Sequence, residues 1–137
     1  MFAQSKKITV EDKVQPIKVI ANKDSLVQVL RILIENAIKY SPVNSKIQLT
    51  TEADGDHAIL HVIDNGIGIA KEEQEKIFTR FYRVDQSRSK IDSSGYGLGL
   101  SIAKSICTHQ NMTLTVNSNE GSGSIFSLRI KIDNKPD

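Results

Sequence analysis

The chain has 137 residues, 39% of them hydrophobic and 25% charged, with 18 Lys and Arg against 16 Asp and Glu for a formal charge of +2. Those proportions suit one soluble domain with a single core, exclude a disordered or fibrous chain, and are too balanced to announce nucleic-acid or anionic-membrane binding. One cysteine, Cys107, excludes an internal disulfide and a cysteine-based zinc site. No apolar run approaches the roughly 20 residues that span a bilayer, and the N-terminal MFAQSKKITV has no signal-peptide core, so a soluble domain in a reducing compartment is expected.

In chain order, residues 1–7 and 133–137 are polar and read as flexible ends around a domain at 8–132. ITV (8–10) and IKVIA (17–21) read as short strands around Pro16. Asp24 or Ser25 can cap a helix running to about Tyr40, where Ser41-Pro42 stops it. Leu26, Leu30, Leu33 and Ala37 form its apolar stripe, widened by Val27, Ile34 and Ile38. SKIQLTTEA and HAILHVID then read as a hairpin turning at Asp54-Gly55-Asp56.

After Asp64 the texture changes to a glycine-rich NGIGI, and KEEQEKIFTRF (71–81) reads as a short charged helix. Residues 82–96 are polar and without a period, the profile of a functional lid or a disordered segment. GLGLSIAKSICTH resumes a helical pattern through Leu98, Ile102 and Ile106, and MTLTV (112–116) alternates as a strand. SIFSLRIKI puts Phe126, Leu128, Ile130 and Ile132 on one face of a last strand. This order predicts an α+β fold, a two-layer α/β sandwich with one mostly antiparallel sheet of five to six strands covered on one face by three helices.

Seven of the eight glycines fall in three clusters, at Gly66 and Gly68, at Gly95, Gly97 and Gly99, and at Gly121 and Gly123. Any one cluster reads as an ordinary turn. All three, with the polar helix end at Asn36 to Lys39, point to a backbone that closely approaches a ligand. Neither GxxxxGK[ST] nor GxGxxG is present, but Gly97 and Gly99 open a helix, whose first N–H groups favour an anion.

LIENAIKYSP (33–42), DNGIGI (64–69), IFTRFYRVDQSRSK (77–90), GYGLGLSIAKSI (95–106) and EGSGSIF (120–126) occur in this order. In series they resemble the ATP-binding catalytic domain of bacterial sensor histidine kinases, which shares its Bergerat-type fold with gyrase, Hsp90 and the mismatch-repair ATPases. The likeness covers residues 17–132. It implies that Asp64 accepts a hydrogen bond from the adenine amino group, with Gly66, Gly68 and Ile69 along the base and ribose. Asn36 matches the Mg²⁺ ligand, Lys39 a phosphate contact and Tyr40 the aromatic beside adenine.

Arg83 and Arg88 match lid arginines that reach the phosphates. Phe78 and Phe81 match the aromatic pair before the lid. Gly95, Gly97, Leu98 and Gly99 match the phosphate-cradling loop, and Ser124 stands where Thr is more usual. Ile32 departs from the pattern, since the kinases carry Asn there and the gyrase-like relatives a water-activating Glu. Glu35 remains as a proton acceptor or orienting group. His57, His61 and His109 have no phosphoacceptor setting and read as structural or surface residues, and Cys107 as a small buried hydrophobe.

The implied function is donation of the γ-phosphoryl group of Mg²⁺-ATP to a histidine on a separate dimerisation domain of a two-component sensor kinase. The cofactors are ATP and Mg²⁺. The partners are that domain and, indirectly, a response regulator, with no nucleic acid and no membrane contact. The piece is expected to be a monomeric cytoplasmic fragment of a membrane-anchored parent, inactive in autophosphorylation alone. A gyrase- or Hsp90-type ATP hydrolase and a nucleotide-free scaffolding module are the alternatives.

Overall fold

Asn22 starts the principal helix, and the computed structural model, which describes residues 7–79, 99–118 and 121–133, shows how. Its side chain accepts the Ser25 N–H at 2.9 Å, so α1 runs Lys23–Tyr40. This corrects the expected cap at Asp24 or Ser25. An N-cap oxygen satisfies the amide three residues on, which makes Ser25 the donor. At the other end the Ser41 hydroxyl donates to the Ala37 carbonyl at 2.6 Å ahead of Pro42. Val29, Leu33, Ala37 and Ile38 carry the buried face, while Leu26, Leu30 and Ile34 pack at its margin. Val27, expected on the stripe, is exposed.

The strands are β1 (Thr9–Lys13), β2 (Lys46–Asp54), β3 (His57–Asp64), β4 (Thr113–Ser118) and β5 (Ser124–Lys131). They form one sheet in the order β1-β2-β3-β5-β4, antiparallel except for the parallel β1–β2 pair. The expected strand at 17–21 reduces to one bridge between Val19 and Ile132. β4 begins opposite Arg129, so the chain past β5 has a free side at Ile132 that Val19 takes. Among the described residues no longer partner runs there to extend a ladder. Of the helix expected over 71–81, the described part to residue 79 is instead two 3₁₀ turns at Lys71–Glu73 and Lys76–Phe78, neither with a side-chain cap. α2 (Gly99–His109) is closed off by Asn111, two residues past its end, whose φ of 58° lets the Met112 N–H return to the Cys107 carbonyl at 2.9 Å.

One face of the sheet is covered by α1, α2 and the 3₁₀ turns, in the two-layer α+β sandwich the element order predicts. Its central rungs are apolar, with Val116, Phe126, Val62 and Leu49 side by side and Leu114, Leu128 and Leu60 one rung along. Cys107 is buried against this layer, as expected. No helix among the described residues is long and apolar enough to cross a membrane.

Candidate functional site: a cleft above the last rung of the sheet

The buried face changes chemistry at its final rung, where Ser118, Ser124 and Asp64 stand in register on β4, β5 and β3. All three are buried, Asp64 to 5% exposure. A cleft of about 60 Å³ opens above Asp64 and Ser124. α1 supplies Asn36 and Tyr40, and the loop after β3 supplies Ile67, Gly68 and Ile69. Ile77, Phe126 and Leu100 complete the walls. The site is therefore an apolar slot with a carboxylate at one end and an amide on its helical side.

Asp64 holds the loop as well as the cleft. Its Oδ1 accepts the Gly66 N–H at 2.8 Å, the turn expected of an Asp before Asn-Gly. Burial pushes its carboxyl above the usual carboxylate range, against the pull of the Gly66 and Ser124 amides. Gly66 is required by contact, since a Cβ there would strike the Tyr40 carbonyl oxygen. Gly123 is required twice over, with a φ of +86° and a Cβ position that collides with the Asp64 carbonyl.

A hydrogen-bond network fixes this floor. The Ser118 hydroxyl accepts the Ile69 N–H at 2.7 Å and lies 2.8 Å from the Gly123 carbonyl and 2.9 Å from the Ser124 hydroxyl. The Gln74 amide donates to the Ile69 carbonyl at 3.0 Å and to the Ser118 carbonyl at 2.7 Å. The Gly121 N–H donates to the Ile67 carbonyl at 2.7 Å. Loop and hairpin are thereby tied into one rigid wall.

The structure brings together Asn36, Tyr40, Asp64, Gly68, Ile69 and Ser124 around the cleft. Gly66 supports it from behind. Lys39 stands beside it, its Nζ 5.5 Å from the Tyr40 ring centroid. Glu35 is exposed and does not line the cleft. Gly99 opens α2 with Ile32 3.5 Å from its Cβ position, so Ile32 packs against the start of that helix. Phe81, Arg83, Arg88, Gly95, Gly97 and Leu98 lie outside the described residues. Sequence reasoning missed Ile67, Ile77, Leu100 and Phe126 as walls, and Ser118 and Gln74 as supports. The four walls did carry a signal, since each lies inside a quoted motif, whereas Ser118 and Gln74 lie in none.

Among the described residues no three His, Cys, Asp or Glu side chains cluster to hold a metal. Asn36 offers one amide oxygen in the cleft. That donor set suits a hard cation that arrives with oxygen ligands of its own, as Mg²⁺ does with phosphates and water.

The family model for histidine kinase-, DNA gyrase B-, and HSP90-like ATPases matches residues 21–134. The sensor protein CiaH of Streptococcus pneumoniae is 44% identical over 107 residues, which is 78% of this chain and 24% of that protein. The chain thus spans about a quarter of the length of that curated relative. A mycobacterial sensor histidine kinase, MprB, superposes with a TM-score of 0.80 at 26% identity, over 95% of this chain and 86% of that one. The full-length ShkA structure in complex with AMPPNP gives 0.81 at 25% identity, over 99% of this chain and 28% of that one.

Proposed function

The chain belongs to the histidine kinase-, DNA gyrase B-, and HSP90-like ATPase family, and on that premise we propose that it binds Mg²⁺-ATP in this cleft and presents the γ-phosphoryl group to a histidine on another domain of a sensor kinase. The observation that carries the reading is the buried Asp64 carboxylate closing an apolar slot. A flat heterocycle between Ile69, Phe126 and Tyr40 offers its exocyclic N–H to that acceptor. Adenine has such a donor at N6, whereas guanine has a carbonyl there and would be repelled.

Asn36, on the α1 wall of the cleft, is the residue that would hold the metal. Bound there, Mg²⁺ would draw charge off the phosphate oxygens. Gly99 begins the described part of α2 beside the cleft wall Leu100, and the N-terminal end of a helix favours an anion. Lys39, from beside Tyr40, and Arg83 and Arg88, in the lid segment, complete the charge neutralisation. Phosphoryl transfer asks mostly for positioning and charge balance, which these groups supply. Ile32 can neither activate water nor bind metal, which supports transfer to a histidine over hydrolysis.

We assign the acceptor histidine to a separate dimerisation domain and the downstream acceptor to a response regulator. The domain would be a cytoplasmic monomer when isolated, working for a membrane-anchored parent. The test is calorimetric titration with Mg²⁺-ATP against Mg²⁺-GTP. Selective binding of ATP is expected; equal affinity for both, or for neither, would overturn the reading.

A further inference from the structure

The geometry points to Lys104, outside the cleft, as a positioning residue that holds the cleft's aromatic wall through Phe78. The inference rests on the nucleotide reading above. Lys104 is half-buried on α2, and its Nζ donates to the Leu114 carbonyl of the edge strand β4 at 3.0 Å. The same ammonium stands 5.2 Å from the centroid of the Phe78 ring. Phe78 meets Phe126 edge to face, with centroids 6.4 Å apart and planes at 89°. Phe126 is 1% exposed and lines the cleft with Ile77, the neighbour of Phe78. An unbroken line of contacts thus runs from a cation outside the core to the surface against which a base would lie.

The contacts are directional, which separates them from filler packing. A cation over a ring face is attracted by its quadrupole, and an edge-to-face pair holds only within a narrow range of tilts. The Leu114 carbonyl fixes the ammonium, the ammonium fixes the face of Phe78, and Phe78 fixes the tilt of Phe126. Anchoring α2 to the sheet does not need Lys104, because Ala103, Cys107 and Leu114 already join the shared apolar core. What the charge adds is orientation of the 3₁₀ turn Lys76–Phe78, whose Ile77 and Phe78 otherwise meet their partners only by apolar contact.

The test is Mg²⁺-ATP affinity by calorimetry for the whole chain and its Lys104→Met, Lys104→Arg, Lys104→Gln and Phe78→Leu variants, with thermal melts alongside. Lys104→Met keeps the apolar stem and loses the charge, so a fall in affinity of about three- to tenfold is expected. Lys104→Arg, which keeps charge and donor, should restore binding. Lys104→Gln, which keeps a donor but no charge, should bind as weakly as Met and replaces it if Met fails to fold. In the Phe78→Leu background the Met substitution should cost nothing further. Wild-type affinity in Lys104→Met or Lys104→Gln, or an undiminished loss beside Phe78→Leu, would overturn the positioning role. A wild-type chain that bound no nucleotide would instead overturn the nucleotide reading and this inference with it.

Discussion

Two polar clusters stand back to back on β3 and β5, and their difference shows which one awaits a ligand. On the open face His61 engages both ring nitrogens, Nδ1 with the Ser127 hydroxyl and Nε2 with Glu52, each at 2.7 Å. Arg129 and Asp54 pair nearby at 2.8 Å. On the covered face Ser118 and Ser124 bond each other, but among the described residues Asp64 keeps a buried carboxyl whose partners are backbone amides. The outer cluster looks more like catalytic machinery, a Ser-His-Glu relay, yet it is self-satisfied and half open to water. The inner one holds a buried carboxyl with no cationic side chain against it among the described residues. Burying a charge without a counter-ion is costly, so a structure that does so has a use for it.

The comparison breaks most visibly at Gly123, which seals the inner rung. Gly123→Ala must adopt a φ near +86° and push a methyl group into the Asp64 carbonyl. A loss of about 3 kcal/mol or more is expected, read as a large drop in melting temperature. A melt within the error of wild type would mean the rung is not sealed there.

Asp64→Asn separates function from stability at the inner cluster. An amide keeps an oxygen for the Gly66 N–H but loses the charged acceptor for adenine. ATP affinity should fall tenfold or more, about 1.5–3 kcal/mol, which calorimetry would read. Stability should move the other way. The Asp64 pKa is raised in the fold, so the folded state keeps a proton that the unfolded chain has already released. Wild-type stability from this group is therefore lost as pH rises from the ordinary carboxylate value through the raised one. The variant lacks that loss, and its advantage in chemical denaturation should grow from about pH 4 to neutral pH. An advantage that shrank over that range would contradict the burial argument.

What was legible in the sequence follows from range. The α1 stripe, the hairpin after Lys46, the final alternating strand and Asp64 at a strand end are written in short windows, and each stands where expected to within a few residues. The pairing of Asp64 with Ser124 and Ser118 is not, because strand register across a long gap is decided by packing rather than by neighbours. The same applies to Ile77 and Leu100, whose roles as walls depend on how α2 and a 3₁₀ turn meet. The mistaken helix after Lys71 has another cause. A charged run such as KEEQEK suits a helix locally, but Gln74 spends its side chain on distant carbonyls and the backbone turns more tightly.

Gln74 offers a smaller test of the inner cluster. Gln74→Leu strands two half-buried carbonyls, at Ile69 and Ser118, and frees the loop that carries Gly68 and Ile69. A stability loss of about 1–2 kcal/mol and a severalfold weaker ATP affinity are expected from melts and calorimetry together. Unchanged affinity with lowered stability would make Gln74 a structural tie only.

The smallest effect belongs to the outer face, and it sharpens the contrast because the chemistry there is the more suggestive. His61→Ala removes two hydrogen bonds of 2.7 Å each, but both leave partners, Ser127 and Glu52, that reach water. Exchanging a protein partner for water at such a site costs about 1 kcal/mol or less. His61 points away from the cleft, with the sheet between, so nucleotide affinity should stay within about twofold of wild type. A large fall in affinity would show that the two faces are coupled through β3, and that the polar cluster on the open side belongs to the working site after all.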